Sequence, residues 1–334
     1  MDIKQWLLQS QQRISEQGMD GVKESLRPVF YKGLGQVSRL KDSGTPIYER
    51  EWDLLVVLDA CRLDLMHEVA GTNASPFIDE IGSIRSLDST TGFWMRKNFV
   101  DRYADEMART TYVCGNPFSE SVLSKAQFHD LDEVWQRAWN EMGTVPPRAI
   151  TDGTIRAMRS DSPDRVIAHY MQPHYPFLPR SELSGENLAD ELDDESTKEV
   201  WERLNDGETT REGVLEFFDD DTSKDIWARL RDGGVTHEAV WEGYRANLEL
   251  VLDEVGLLLR SVDADRAVVS SDHGNSFGTL GIYGHPPHMP HDCLRIVPWI
   301  ETRARDDGEY EPPEEVEREV QKTTEEQLAA LGYK

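Results

Sequence analysis

Asp272-His273-Gly274 follows directly on Ser270-Ser271 and the apolar run Ala267-Val268-Val269. That run predicts a strand, and a strand ending in Asp-His-Gly sets a carboxylate and an imidazole side by side at the carboxyl edge of a sheet. Open α/β folds assemble their sites at that edge. Leu54-Leu55-Val56-Val57-Leu58 runs into Asp59 in the same way. Carboxylate oxygen and imidazole nitrogen together suit a divalent cation. Taken singly, Asp59 reads as a strand ending in a turn and Asp272 as a helix cap. As a pair from two distant strand ends, Asp59 and Asp272, with His273, point to one metal site.

Further groups stand at suggestive places. Thr90-Thr91 opens a segment expected to be helical, and a hydroxyl at a helix start can serve as a nucleophile. The positive end of the helix and a nearby cation both favour its alkoxide. The plain alternative for Ser89 or Thr90 is an ordinary N-cap. His169 and His174 flank Tyr170-Met171-Gln172-Pro173, and His285 sits in Gly284-His285-Pro286. Histidines in such proline-flanked loops can donate to an anionic substrate, whereas His288 and His291 read as turn packing.

Regular elements must position these residues. Strands are expected at 53–58, 81–88, 110–114, 164–170, 266–271 and 294–300, with Pro298 marking the last as an edge strand. Helices are expected at 61–70, from Phe93 to Glu106, and over 240–260. Strands alternating with helices predict an α/β sandwich whose central sheet is mainly parallel and flanked by helices. Residues 1–50 read as a helical N-terminal extension, 51–310 as the catalytic domain, and 311–334 as an acidic C-terminal helix. Within the domain, about 183–240 reads as a helical insert. It holds a repeat in which Ser196–Gly207 returns as Thr222–Gly233, 26 residues later, with Trp201 matched by Trp227. Two copies are too few for a solenoid; packing of the copies on each other is the simpler expectation, a lid over the site the other.

With 63 acidic against 36 basic residues, the 334-residue chain carries a formal charge of -27. That excess argues against nucleic acid or an anionic membrane as a general partner. The acid is spread along the chain and Arg outnumbers Lys, as expected of a halophilic, haloarchaeal-type protein. Cys61, Cys114 and Cys293 are too few and scattered for a disulfide framework or a cysteine zinc site. The start, Met1-Asp2-Ile3-Lys4-Gln5-Trp6, does not read as a signal peptide. No run approaches 18 apolar residues, so a cytoplasmic location is expected.

The order of these motifs resembles one family. Leu58-Asp59-Ala60-Cys61-Arg62-Leu63-Asp64 comes first, then the Ser89-Thr90-Thr91-Gly92 turn, then His169 and Pro173-His174. Ser271-Asp272-His273-Gly274 and Tyr283-Gly284-His285 follow. In that order they are similar to the sulfatase-like branch of the alkaline phosphatase superfamily, over roughly 52–180 and 240–300. The resemblance implies an alkaline-phosphatase-like fold. It also implies a metal-dependent hydrolase or transferase acting on a phosphate or sulfate ester through a covalent threonine intermediate. Asp59, Asp272 and His273 would hold one divalent ion (Mn, Zn, Mg or Ca). Thr91 is the expected nucleophile and Thr90 the second choice, while His174 and His285 would contact the transferred group. His169 would bind substrate, hold a second ion or support His174. The alternatives are a phospho-group transferase modifying a surface glycan or lipid headgroup, and a decayed binding protein with the same fold. Cys61-Arg62-Leu63-Asp64 is not the arylsulfatase pattern, so a formylglycine enzyme is not expected. Gln172 and Asn275 stand where many relatives carry Asp and Glu, which favours one ion over two.

The acidic surface generates a first prediction. At about 0.1 M salt the Debye length is about 10 Å, so carboxylates repel across the surface. The melting temperature should rise from low salt to molar KCl; a flat or falling dependence contradicts a halophilic chain.

Overall fold

The computed structural model describes residues 44–71, 75–160, 163–183, 226–314, 324 and 327. Most of the expected extension over 1–50, most of the C-terminal helix over 311–334 and the first repeat copy at 196–207 lie outside these residues. So does the expected packing of one copy on the other.

Strands β1 (Leu54–Leu58), β2 (Gly82–Arg85), β3 (Thr110–Cys114), β4 (Asp130–Glu133), β5 (Arg165–Tyr170), β6 (Ala264–Ser270) and β9 (Ile296–Ala304) form one sheet. Its order is β2-β9-β6-β1-β5-β3-β4. Strands β6, β1, β5, β3 and β4 run parallel, and β9 pairs antiparallel to both β6 and β2. Every side chain of β1 is buried, as is nearly every one of β5. A continuous apolar run is what a parallel strand covered on both faces requires. Each buried Leu or Val contributes about 1.5–3 kcal/mol over its exposed state. A separate hairpin pairs β7 (Ser276–Phe277) with β8 (Tyr283–Gly284).

The helices used below are α1 (Leu63–Ala70), α2 (Thr91–Asn98), α3 (Phe118–Val122), α4 (Pro147–Ser160), α5 (Ile226–Arg231) and α6 (His237–Leu259). Helix α6 starts at Thr236, whose side chain accepts from the Ala239 amide. It buries Val240, Tyr244, Leu248, Val251, Leu252, Val255 and Leu258, a three-to-four-residue spacing that lays one stripe against the domain. It packs against α4 and α1, and α2 packs against α3. No helix among the described residues is long and apolar enough to cross a membrane.

Two expectations are corrected. The helix expected from Phe93 to Glu106 starts at Thr91 and ends at Asn98, and short turns at Asp101–Tyr103 and Ala104–Met107 follow. The break at Phe99 sends its ring and that of Tyr103 into a cluster with Tyr48, Tyr112 and Phe128. The strand bearing Pro298 is not an edge strand, since β9 lies between β2 and β6. Pro298 is tolerated one residue past the last pairing with β6, where its carbonyl accepts from Ser270 Oγ at 2.8 Å. Strand β4, helix α4 and the β7–β8 hairpin are additional to the sequence reading.

The glycine of Asp-His-Gly has a packing role. Its amide donates to Leu294 O at 2.9 Å, and a Cβ there would meet the Cys293 carbonyl oxygen at 2.2 Å. Gly274→Ala should therefore destabilise the domain by about 2–3 kcal/mol, read by denaturant unfolding. A neutral result would mean that the 293–294 backbone yields freely.

Candidate active site

Parallel pairing brings the carboxyl ends of β6, β1, β5 and β3 to one edge of the sheet, and the chemistry gathers there. Asp59 follows β1 directly, and His169 lies on β5 opposite Val57. Asp272 comes two residues after β6. All three are fully buried. One donor atom from each lies within 4.8 Å of the others. Asp59 Oδ1 and His169 Nε2 have no hydrogen-bond partner. Two buried carboxylates and an imidazole with atoms left open toward one another match the donor set of a divalent cation.

His273, the histidine expected from its motif, faces the same cluster. Its Nε2 lies 3.4 Å from Asp272 Oδ2 and 3.8 Å from Asp59 Oδ1. Its Nδ1 sits 2.9 Å from the Gly274 carbonyl. A carbonyl only accepts, so Nδ1 carries a proton, and Nε2 faces the cluster. Tyr112 OH lies 2.7 Å from His169 Nδ1 and fixes that ring with Nε2 toward the carboxylates.

The electrostatics show what the cluster lacks. Burial, then the neighbouring Asp272 charge, push the Asp59 carboxyl well above the usual range, although Asn116 donates to its Oδ2 at 2.7 Å. Burial also opposes charge on Asp272, but His273, His169 and the Ala60 amide hold it below the usual range. Two adjacent buried carboxylates cannot both ionise without a positive partner. Burial moves His169 down to about 4, so its imidazole is neutral near pH 7.

Thr91 is the first residue of α2, and its Oγ1 donates to Asp272 Oδ2 at 2.7 Å and lies 3.2 Å from His273 Nε2. Thr90 occupies the cap position yet makes no capping bond; its hydroxyl is buried without a partner. The two adjacent hydroxyls thus differ in surroundings, and Thr91 is the one held against the cluster.

His174 and His285 meet with their Nε2 atoms 3.0 Å apart, and the His285 ring also lies tilted against that of His273 with ring centroids 4.5 Å apart. His174 Nδ1 faces the Tyr175 carbonyl, which makes it the protonated nitrogen. The shared contact is then His285 Nε2–H donating to His174 Nε2. Burial lowers both rings, His174 to about 4 and His285 well below its usual value. The sheet edge and α6 hold this pair in place. The His174 amide donates to Asp59 O at 3.1 Å. Asn247 of α6 donates to Pro173 O and His174 O and accepts from the Leu178 amide.

All eight expected site residues gather at this edge: Asp59, Thr90, Thr91, His169, His174, Asp272 and His273 are buried there, and His285 joins them from the end of the hairpin. Sequence reasoning missed Asn116, Tyr112, Asn247 and Tyr244. Asn116 carried a faint signal, since Gly115-Asn116-Pro117 ends a strand, but it reads as a turn. Tyr244 OH donates to Ala60 O and accepts from the Arg62 amide. Ala60 has φ of 60°, a left-handed conformation that costs a non-glycine residue on the order of 1 kcal/mol. Its amide donates to Asp272 Oδ1 at 3.0 Å, so the strained turn locks two strand ends together. His291 acts as a cap, its Nδ1 accepting from the Cys293 amide at 3.2 Å, and Cys61 is a buried residue beside β1.

A cation bound here displaces the proton held by Asp59. Affinity should rise with pH above the ordinary carboxylate range, with proton release seen calorimetrically in buffers of different ionisation enthalpy. Asp272→Asn should weaken binding by at least about tenfold. Wild-type binding retained in both Asp59→Asn and Asp272→Asn overturns the assignment.

No family model matches the chain, and a search of curated proteins gives no match. Solved structures do. The chain superposes on the integral membrane lipooligosaccharide phosphoethanolamine transferase A of Neisseria meningitidis with a TM-score of 0.51 and 14% identity, covering 89% of this chain and 59% of that one. It is similar to the soluble domain of that transferase (TM-score 0.45, 13% identity, 75% of each chain). It is also similar to a Bacteroides thetaiotaomicron protein described as a sulfatase (TM-score 0.41, 11% identity, 75% of this chain and 63% of that one). At these identities the likeness concerns the fold alone, a mostly parallel seven-stranded sheet flanked by helices.

Proposed function

We propose that this chain is a phospho-group transferase that works through Thr91 on a substituted phosphate ester, with a glycan or lipid-linked hydroxyl as acceptor. One observation carries the reading: the Thr91 hydroxyl, itself buried, is held at 2.7 Å from Asp272 and 3.2 Å from His273 within a buried carboxylate–imidazole cluster. Nothing about an N-cap requires that arrangement. The phosphoethanolamine transferases that share the fold support the choice of transfer over hydrolysis. Hydrolysis differs only in water replacing the acceptor.

The residues divide the work. Thr91 Oγ1 attacks phosphorus in line with the leaving oxygen, and its proton passes to Asp272 Oδ2 or His273 Nε2, the two acceptors in reach. The P–O bond to the leaving alcohol breaks and a phosphothreonine ester forms. The leaving oxygen departs as the alcohol with a proton from water; an acceptor hydroxyl then attacks the same phosphorus and loses its own proton to water, while Thr91 Oγ1 departs and takes its proton back. His285 Nε2–H, which here donates to His174 Nε2, is the one N–H of this neutral, buried pair that can turn to a phosphoryl oxygen, since His174 Nδ1–H is held by the Tyr175 carbonyl. A divalent ion held by Asp59, His169 and Asp272, with His273 beside them, would supply charge stabilisation for the alkoxide and the phosphoryl oxygens.

Gln172 and Asn275 bear on the number of ions. Gln172 is buried and donates to Val145 O at 3.0 Å. Asn275 is buried with both amide atoms unpartnered. Neither carries charge to offset a second dication, so the reading is a one-ion site.

Incubation with bis-p-nitrophenyl phosphate, a divalent ion and a sugar acceptor should release nitrophenol. Quenching early should leave a phosphoryl adduct on the peptide that contains Thr91. Thr91→Ala should lose turnover by about three orders of magnitude or more and form no adduct, and Thr90→Ala should lose much less. An adduct on Thr90, or full activity in Thr91→Ala, overturns the reading. Cleavage of p-nitrophenyl sulfate in preference to the phosphate esters would replace phosphate by sulfate as the substrate class.

A further inference from the structure

We propose that Asp88 is a positioning residue, a buried clamp that fastens the segment following His285 to the turn and helix that present Thr91. It rests on the reading of Thr91 and His285 as partners in one reaction. Residues 285–291 form neither helix nor strand. Their place is therefore set by what their side chains and amides bond, and Asp88 is central to that set.

Asp88 is fully buried. Its Oδ1 accepts from the Ser89 amide at 2.8 Å and from the His288 amide at 2.9 Å. Its Oδ2 accepts from His288 Nδ1 at 2.8 Å and from Lys97 Nζ at 2.5 Å. One carboxylate thus joins the Thr91 turn, the last turn of α2 and the segment after His285. Adjacent bonds run between the same parts. Ser89 Oγ donates to Pro286 O at 2.6 Å and accepts from the Met289 amide at 2.9 Å, and Lys97 also donates to Leu87 O at 2.9 Å. The Phe93 ring of α2 lies 4.2 Å from the His288 ring, centroid to centroid.

Two further features fit a built clamp. His288 has φ of 58°, a left-handed conformation that both its amide and its ring are bonded to maintain. A carboxylate with no exposure is retained at a cost unless paired, and here it is paired with a cationic Lys and an imidazole. Through Ser89 and Pro286 the clamp spans from the neighbours of Thr91 to the residue after His285. Loss of Asp88 would free His285 to drift, and a misplacement of about 1 Å can cost about 100-fold in rate.

The test compares the full chain with Asp88→Ala, Asp88→Asn and His288→Gln. Three quantities are read: divalent-ion affinity by calorimetry, amide hydrogen exchange at His288 and Met289, and kcat and KM on bis-p-nitrophenyl phosphate. Asp88→Ala should keep ion affinity within about threefold of wild type, exchange those two amides at least about tenfold faster, and lose about 100-fold in kcat with a smaller change in KM. Asp88→Asn, which keeps an acceptor for the His288 ring, should recover part of the kcat. Should Asp88→Ala fail to fold, His288→Gln, which removes the ring bond and leaves the carboxylate with Ser89 and Lys97, is read by the same three measures. Unchanged exchange at His288 and Met289, or kcat within about threefold of wild type in an ion-competent variant, overturns the proposal. If the wild-type chain turns over no ester, the reading of function fails, while exchange and ion affinity still decide whether Asp88 clamps the segment.

Discussion

The structure is organised around two buried carboxylates that face each other at the edge of a sheet. Asp59 and Asp272 have no exposure, and two like charges so placed cannot both persist without a cation or a proton. A fold tolerates this where the need serves chemistry. The surroundings allocate the strain: three donors favour charge on Asp272, and the remaining demand falls on Asp59. His169, His174 and His285, whose basicity burial lowers, line the enclosure.

Such a cluster must be built on rigid parts, and the parallel strands supply them. Asp59, His169 and Asp272 ride on neighbouring strands β1, β5 and β6, whose ladder fixes their spacing before any side chain is considered. Helix α6 then braces the loops. Tyr244 holds the Asp59–Ala60 turn and Asn247 holds the His174 loop, one helical turn apart on the same buried stripe. The His285 arm has a separate support. Trp227 of α5 packs its indole on Gly284 and lies 5.0 Å from the Phe277 ring, so the second repeat copy reaches the hairpin that carries His285. The tryptophan of that copy thus contacts the hairpin that carries His285, while the expected packing between copies lies outside the described residues.

The replacements at Gln172 and Asn275 take on meaning in this setting. Both are buried amides that carry no charge, in a fold whose Asp59–Asp272 cluster already has more negative charge than it can carry unaided. The same chain that spreads acid over its outer surface has neutral side chains at these two buried positions.

The sequence determined the strand-end aspartates, the histidine motifs and the alternation of strands with helices. These follow from local patterning: a buried parallel strand needs an unbroken apolar run, and the residue that ends it falls at the sheet's carboxyl edge. Thr91 was legible because a hydroxyl at a helix start is a local feature. Tertiary structure alone decided which of Thr90 and Thr91 meets Asp272, since adjacent residues differ only in the direction of their side chains. It alone recruited Tyr112, Asn116 and Asn247, polar residues inside a strand, a turn and a helix whose roles depend on partners 57, 57 and 73 positions away. It also moved His288 from turn packing to a bond with Asp88, 200 residues distant. Periodicity reports burial along one element; it carries no information about which buried polar atoms will find each other once the elements pack.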